Sequence, residues 1–230
     1  MNSNFYGRFF RLGQQIVRKV YPKYKVILPQ TIDGPAVYIT HHQNLFGPFI
    51  TLLWFPKSLH AWILHVFLDR HTCYRQYVDY TFTKRFGWNR TLSKICAFLV
   101  SFLIAKLLNS GKGIPVYRGS RKILKTFHLT VKALKNGESI VIFPDIDYRD
   151  STANVKEMYE GFLSLDRYYY RETGEHVCFI PLYVSKKKRL LIANRKIYFR
   201  EGEDVQTERK TVLQNIHANL NELAEKCGDL

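Results

Sequence analysis

The stretch Ser139-Ile140-Val141-Ile142-Phe143 (SIVIF) decides the fold class of this 230-residue chain. A continuous apolar run of strand length is typical of a strand that is covered on both faces. Residues 179–184 form a second run of this kind, and segments with helical patterns lie around the two. Helices that alternate with buried strands predict a single α/β domain with a mixed, mostly parallel sheet flanked by helices.

Hydrophobic periodicity and turn residues predict the remaining elements. Further strands are expected at residues 24–28, 36–40, 113–117, 190–193 and 196–199. Helices are expected at residues 92–108, 120–135 and 205–226. Gly, Asn, Asp and Pro mark the breaks between them, as in the predicted turns Asp33-Gly34-Pro35 and Asn136-Gly137.

The N-terminal segment has the clearest helical pattern. At about 100° per residue, aromatic and aliphatic side chains share one arc, basic and amide side chains fill the other, and no acidic residue precedes Asp33. A basic, aromatic-rich amphipathic helix suits the plane of a membrane surface. We therefore predict a membrane-surface helix over residues 1–22, followed by the α/β domain over residues 23–230. Packing of this helix on the core of its own domain is the alternative.

The longest clean apolar run covers residues 95–105 and lies between Lys94 and Lys106. A run of this length is too short to span a bilayer, so a buried or interfacial helix is predicted. The N-terminus has basic residues but no continuous apolar stretch, so no secretory signal peptide is predicted.

The charge balance indicates an acidic partner. The chain has 35 Lys and Arg against 19 Asp and Glu, a net charge of +16, and 15% of its residues are aromatic. Basic and aromatic side chains together favour the headgroup layer of an anionic membrane. Nucleic-acid binding is the alternative from charge alone, but no known nucleic-acid motif supports it, so no nucleic-acid partner is expected.

Cysteine and histidine spacing indicates neither a metal site nor a disulfide framework. Cys73, Cys96, Cys178 and Cys227 are far apart and form no C-x-x-C pair, and the isolated histidines have no ligand spacing. Reduced thiols are typical of a cytosolic environment. A peripheral protein on the cytoplasmic face of a membrane, without a bound metal, is therefore predicted.

Polar, proton-competent residues follow the predicted strand at residues 36–40, beginning with His41 and His42. The ends of strands in an α/β sheet line crevices where ligands bind. A neutral imidazole can accept a proton from a hydroxyl near pH 7. A single His-His pair is also compatible with a purely structural role.

Four sequence blocks follow one another in order within residues 36–185. They are His41-His42-Gln43-Asn44-Leu45-Phe46-Gly47, then GIPVYR at residues 113–118, then Ile142-Phe143-Pro144-Asp145, and FIPLYV at residues 179–184 with Pro181 near its centre. In order and spacing they resemble the blocks of the glycerolipid acyltransferase family, which includes the glycerol-3-phosphate and lysophosphatidate acyltransferases. The family's blocks are Asn-His followed after four residues by Asp, a strand ending in Arg, Phe-Pro-Glu-Gly-Thr-Arg, and an apolar strand with a central Pro.

The resemblance implies an O-acyltransferase of phospholipid biosynthesis. It would move a fatty acyl group from acyl-CoA or acyl-carrier protein to a hydroxyl of a glycerol phosphate or lysophospholipid, with no further cofactor. His42 would be the general base, Arg118 would hold an anionic headgroup, and Asp145, in place of the family's Glu, would accept hydrogen bonds from glycerol hydroxyls. Asn44, Gly47 and Pro144 are the other expected substrate-binding residues.

Two positions depart from the family pattern. Gly47 stands where the family has the Asp that orients the imidazole, and losing the equivalent carboxylate in a serine-protease triad costs about 10⁴ in rate. Asp145, Asp147 or a backbone carbonyl are the candidate orienters of the His42 ring. The third block also lacks Gly-Thr-Arg, for which Arg149 is a shifted candidate. A catalytically impaired, lipid-binding member of the same fold is therefore the alternative function.

Overall fold

The computed structural model describes residues 5–29 and 34–230. The first four residues of the predicted N-terminal helix, and Asp33 of the predicted turn, lie outside the described residues. Contacts between Cα atoms divide the chain into two compact units. Unit 1 contains Val17–Leu59 and Phe127–Leu230, and unit 2 contains Asn2–Ile16 and His60–Thr126.

The described residues form seven α-helices and seven strands. The α-helices are α1 (Arg8–Val20), α2 (Phe46–Trp54), α3 (Arg70–Gln76), α4 (Arg90–Ser110), α5 (Ile123–Lys135), α6 (Ser164–Thr173) and α7 (Val205–Cys227). The strands are β1 (Lys25–Ile27), β2 (Val37–Thr40), β3 (Leu59–Leu64), β4 (Ile114–Val116), β5 (Ser139–Ile142), β6 (Phe179–Ser185) and β7 (Leu190–Ala193). Shorter 3₁₀ turns cover His65–Phe67 and Glu160–Leu163, and a π-helix covers Tyr77–Arg85.

Unit 1 contains a sheet in which the strands lie in the order β1-β7-β6-β2-β5. Its neighbouring strands run parallel except for β6 and β7, which are antiparallel. Every residue of β2, β5 and β6 is buried, as expected of strands that are covered on both faces. Because β2 and β5 are parallel neighbours, with Tyr38 paired to Val141, their carboxyl ends meet at one edge of the sheet.

Helices α2 and α7 cover the central strand β6. The buried stripe of α7 contains Val212, Ile216, Leu220 and Leu223, which recur at the three- and four-residue spacing of one helix face. Helix α2 begins at Phe46, and Pro48 lies in its first turn, where a missing backbone N–H costs no helical hydrogen bond. The start of α2 is therefore fixed immediately after the His-His pair.

Unit 2 is built around α4. Asn89 caps the start of this helix by accepting a hydrogen bond from the Leu92 N–H at 2.8 Å. Helix α3 and the π-helix pack against α4, and β3 pairs in parallel with β4. Tyr6 and Phe10, at the N-terminus, are buried, and the Phe10 N–H donates to Ser110 Oγ at 2.9 Å.

The predicted α/β class is confirmed, with a mixed, mostly parallel sheet and flanking helices. The prediction of a strand at residues 196–199 is wrong. Strand β7 pairs with residues 182–185 of β6, so Ile197 reaches only Phe179 and forms an isolated bridge. The boundary at residue 22 and the membrane role of the N-terminal helix stay predictions, although burial of Tyr6 and Phe10 agrees with the alternative of packing on the protein's own core.

The apolar run at residues 95–105 belongs to a longer helix, and its interpretation as a buried or interfacial helix stays a prediction. Helix α4 continues past both bracketing lysines and covers 21 residues, and by length and composition alone it is able to cross a bilayer. Only 22% of its most apolar 18-residue window is buried in the protein. A single helix of this kind is weak support for a transmembrane segment.

Candidate functional site

The carboxyl ends of β2 and β5 bring the His-His pair beside Asp145. His41 directly follows β2, and Asp145 follows β5 after Phe143 and Pro144. Asp145 Oδ2 accepts a hydrogen bond from the backbone N–H of His42 at 2.8 Å. The structure therefore brings the first and third sequence blocks together at one edge of the sheet, whereas the roles assigned to their residues stay predictions.

The chain makes a tight turn between the His-His pair and α2. Gln43 and Asn44 both have positive φ angles, of 44° and 62°. Such a conformation costs a non-glycine residue about 1–2 kcal/mol. The turn is held by the Gln43 side-chain amide, which donates to the Val184 carbonyl at 3.2 Å, and by the Asn44 N–H, which donates to the Asp150 carbonyl at 2.7 Å.

This turn presents the Asn44 carbonyl oxygen to the half-buried ring of His42. His42 Nδ1 contacts that oxygen, and because a carbonyl oxygen only accepts, Nδ1 must carry the hydrogen. The neutral ring then has its lone pair on Nε2, the tautomer that a general base requires. The ring also lies near Phe143 and Tyr148, with ring centroids 5.8 and 6.0 Å away.

His41 is the histidine whose ring meets the carboxylate. His41 Nδ1 contacts Asp145 Oδ1, and His41 Nε2 lies 2.9 Å from the Thr152 carbonyl oxygen. Both ring nitrogens of His41 therefore face oxygen atoms, and the pair with Asp145 is an ion pair when the ring is protonated. His41 and Asp145 are only 2% and 5% exposed. They form a buried pair in which both ring nitrogens are engaged, so neither is free to act as a base.

The loop after Asp145 completes the hydrogen-bond network around the His41–Asp145 pair. Asp150 Oδ1 accepts from the Thr152 N–H at 2.9 Å, and Asp150 Oδ2 lies 2.7 Å from the Lys156 ammonium. The Lys156 ammonium and the Thr152 N–H hold the pKa of the Asp150 carboxyl well below its usual range. Asp150 is therefore charged at neutral pH. The loop that contains it supplies two carbonyls, from Asp150 and Thr152, to the turn that bears the histidines.

A cavity of about 320 Å³ opens beside this network in unit 1. It is lined by His41, Asp145, Ile146, Asp147, Asp150, Lys156 and Glu157. Acidic side chains outnumber basic ones along this wall, so a hydroxyl-bearing group fits it better than a phosphate. His41, and not His42, is the histidine on this wall.

The other predicted site residues have different surroundings. Pro144 is buried and accepts the Tyr159 N–H through its carbonyl at 2.8 Å. Asp147, a candidate orienter of His42, is exposed and accepts from Arg149 Nε at 3.4 Å. Arg118 is exposed two residues after the end of β4 in unit 2. Among the described residues, no group of three or more His, Cys, Asp or Glu side chains is arranged to hold a metal ion.

Comparisons with known proteins show a similarity in fold but none in sequence. No protein-family model matches the chain, and no curated protein matches it significantly by sequence. The chain is similar to the crystal structure of the 1-acyl-sn-glycerophosphate (LPA) acyltransferase PlsC from Thermotoga maritima. This chain has the fold of that acyltransferase. The TM-score is 0.50 at 14% identity, over 94% of this chain and 78% of the other.

Gly47 has no room for a side chain. A Cβ atom at this position would lie 2.0 Å from the His41 carbonyl oxygen and 3.1 Å from that of His42. Both obstacles are backbone atoms, so neither can rotate away. The close approach lets the Gly47 N–H donate to the His42 carbonyl at 3.0 Å and start α2. The aspartate that the family has at this position is therefore sterically excluded in this chain.

We expect Gly47→Asp to damage the protein instead of restoring a catalytic dyad. Overpacking against backbone should lower the free energy of unfolding by about 3 kcal/mol, measured by urea denaturation, with no gain in activity. Gly47→Ala should show most of this loss. The matched control is Gly161→Ala, because a Cβ at Gly161 meets nothing within 4 Å. Equal stability of the two alanine variants would contradict the steric argument.

Three contributors to this site were not predicted from the sequence, namely the pairing of His41 with Asp145 and the carbonyls of Asp150 and Thr152. Successive residues of an extended strand point in opposite directions. From this rule we expect the side chains of His41 and His42 to face different neighbours. The rule does not say which of the two faces Asp145. Backbone carbonyls leave no signal in a sequence.

Proposed function

We propose that this protein is an acyltransferase that transfers a fatty acyl group from a thioester to a hydroxyl of a glycerol phosphate or lysophospholipid, with His42 as general base. One observation carries the proposal: an imidazole oriented by a main-chain carbonyl, at the carboxyl end of a central strand, in a fold shared with an LPA acyltransferase.

The reaction requires one proton relay and no covalent enzyme intermediate. His42 Nε2 takes the proton of the acceptor hydroxyl as its oxygen attacks the thioester carbonyl carbon. The tetrahedral intermediate collapses with cleavage of the carbon–sulfur bond. The thiolate leaves and receives the proton from the His42 imidazolium, which regenerates the neutral ring and forms the ester.

The network around Asp145 supports a positioning role for this residue within the proposal. Its oxygens already bind the His41 ring and the His42 backbone, so Asp145 holds the backbone from which the base projects. Glycerol hydroxyls would be bound by the remaining acceptors of the cavity wall, such as Asp147 and Glu157. Arg118 stays the proposed contact for the anionic headgroup. Asn44, Gly47 and Pro144 stay proposed substrate contacts.

The donor and the location of the protein belong to the same proposal. Acyl-CoA and acyl-carrier protein are both acidic, and they suit a chain with a net charge of +16. The same charge suits a peripheral protein on the anionic, cytoplasmic face of a membrane. No cofactor beyond the acyl donor and no nucleic-acid partner are proposed.

A product screen tests the proposed activity. The full chain is incubated with acyl-CoA or acyl-carrier-protein donors and with glycerol-3-phosphate or lysophospholipid acceptors, and products are detected by mass spectrometry. We expect an esterified lipid from at least one pair, with release of the free thiol in equal amount. A folded protein that yields no product from any pair would contradict the proposal.

The second candidate function is lipid binding without catalysis. The exclusion of a carboxylate at Gly47 favours it, because a neutral carbonyl stabilises an imidazolium less than a carboxylate does. In the same screen, binding of an acceptor lipid without any product is the outcome that selects this alternative.

A further inference from the structure

Helix α4 has an inverted arrangement of side chains. Its buried face contains the small residues Ser93, Ala97, Ser101 and Ala105. Its exposed face contains large apolar residues, Leu92, Ile95, Phe98, Leu99, Phe102 and Leu103, which we call the outer face of α4. Ile95, Phe98 and Leu99 are 60%, 57% and 62% exposed. A helix that only filled a protein core would bury the large residues instead.

The small face is occupied by the protein itself. Ala97 packs with Val78 and Phe82 of the π-helix, and α3 also lies against α4. Lipid therefore has access to one side of α4 only. This arrangement suits a helix that lies in the plane of a membrane, whereas a spanning helix would present apolar groups to lipid along its whole length.

Cations border the outer face. The Arg70 guanidinium lies over the rings of Phe98 and Phe102, at 4.9 and 5.3 Å from their centroids. The Lys106 ammonium lies over Phe102 at 5.5 Å and over Phe9 at 4.8 Å. An aromatic ring beneath a cation combines an apolar body with a charged rim, which is the pattern of the lipid headgroup layer.

The positive charge of unit 2 favours an anionic partner. Unit 2 holds fourteen Lys and Arg against two acidic residues in the sequence, a net charge of +12 out of +16 for the whole chain. The two acidic residues are engaged locally, because Asp79 lies 3.1 Å from Arg90 and Asp69 caps α3. No Asp or Glu occurs between Asp79 and Glu138.

We propose that the outer face of α4 is the surface with which this protein docks on an anionic bilayer, lying in the plane of the headgroup layer. The inference deepens the membrane association within the proposed function by naming its surface, and it does not depend on catalysis. Burial of the outer face in the acyl boundary supplies the hydrophobic contribution, and Arg70 and Lys106 pair with lipid phosphates.

The test is flotation of the full chain with vesicles of equimolar phosphatidylcholine and phosphatidylglycerol, without an acyl donor. We expect Leu99→Gln to weaken vesicle binding by about tenfold, as for loss of one buried leucine. The matched control is Val205→Gln in unit 1, because Val205 is 63% exposed and Leu99 is 62% exposed. The control should bind like the unchanged protein. Equal binding by all three would overturn the proposal.

Three further outcomes would point to another role for this surface: binding to uncharged lipid, spanning of the bilayer, or contact with a second copy of the chain. Equal binding to pure phosphatidylcholine vesicles would overturn the anionic partner, and retention on vesicles after an alkaline carbonate wash would show a spanning helix. A dimer that Leu99→Gln converts to a monomer, with unchanged vesicle binding, would assign the surface to a second copy of the chain. Because no donor is present, loss of acyl transfer in a His42 variant leaves this assay unaffected, so the two proposals can fail separately.

Discussion

His42→Ala is expected to abolish acyl transfer. Removal of a general base lowers the rate of such a reaction by about 100- to 10,000-fold. In an assay with a radiolabelled acceptor, the amount of product formed by the variant should therefore be close to background. The ring is half-buried, and its Nδ1 contacts the Asn44 carbonyl. The thermal unfolding midpoint of the variant should therefore stay close to that of the unchanged protein.

Two controls make this experiment specific. His128→Ala removes a histidine of α5 whose side chain is 69% exposed, and it should leave the rate unchanged. Added imidazole should restore part of the activity of His42→Ala, because a diffusible base can occupy the space of the missing ring. Full activity of His42→Ala in the absence of imidazole would eliminate the proposed mechanism.

Asp145→Asn is expected to cause the largest loss of stability in this part of the protein. The substitution removes the carboxylate that contacts the buried His41 ring, and breaking a buried pair of this kind by removing one partner costs about 3–5 kcal/mol. Urea denaturation measures the loss. Activity should fall as well, since the His42 N–H donates to the same carboxylate at 2.8 Å.

The neighbouring carboxylate provides the control. Asp147 pairs with Arg149 on the surface, and Asp147→Asn should change the free energy of unfolding by less than about 1 kcal/mol. A double variant, His41→Asn with Asp145→Asn, removes both members of the buried pair and should be more stable than Asp145→Asn alone. If all three proteins unfold at the same urea concentration, the His41–Asp145 pair has no structural role.

The central strands were predictable because burial on both faces leaves a continuous apolar run, as at Ser139–Ile142 and Phe179–Ser185. Helices α4 and α7 were predictable from their apolar periodicity and their flanking turn residues. The π-helix Tyr77–Arg85 and helix α3 were not, because aromatic and basic residues alternate there without a helical period. Their conformation depends on packing against α4, which is a tertiary effect.

The candidate site was predictable in its location but not in its pairing. The apolar runs before His41 and Asp145 predict two buried strands whose carboxyl ends are suited to line a crevice. That these two strands are parallel neighbours is seen only in the structure. Which histidine meets the carboxylate depends on the direction of each side chain after the strand ends. The orienting group on His42 belongs to the main chain, and its position depends on the left-handed conformations of Gln43 and Asn44.

An orienter drawn from the main chain has a consequence for how such sites change over evolution. No single substitution deletes the Asn44 carbonyl, so the orientation of the base tolerates changes of side chain that would remove a carboxylate. It is sensitive instead to loop length, because one inserted residue between His42 and Gly47 would carry the oxygen away from the ring. The orientation of the His42 ring therefore depends on the shape of a loop and not on a neighbouring side chain.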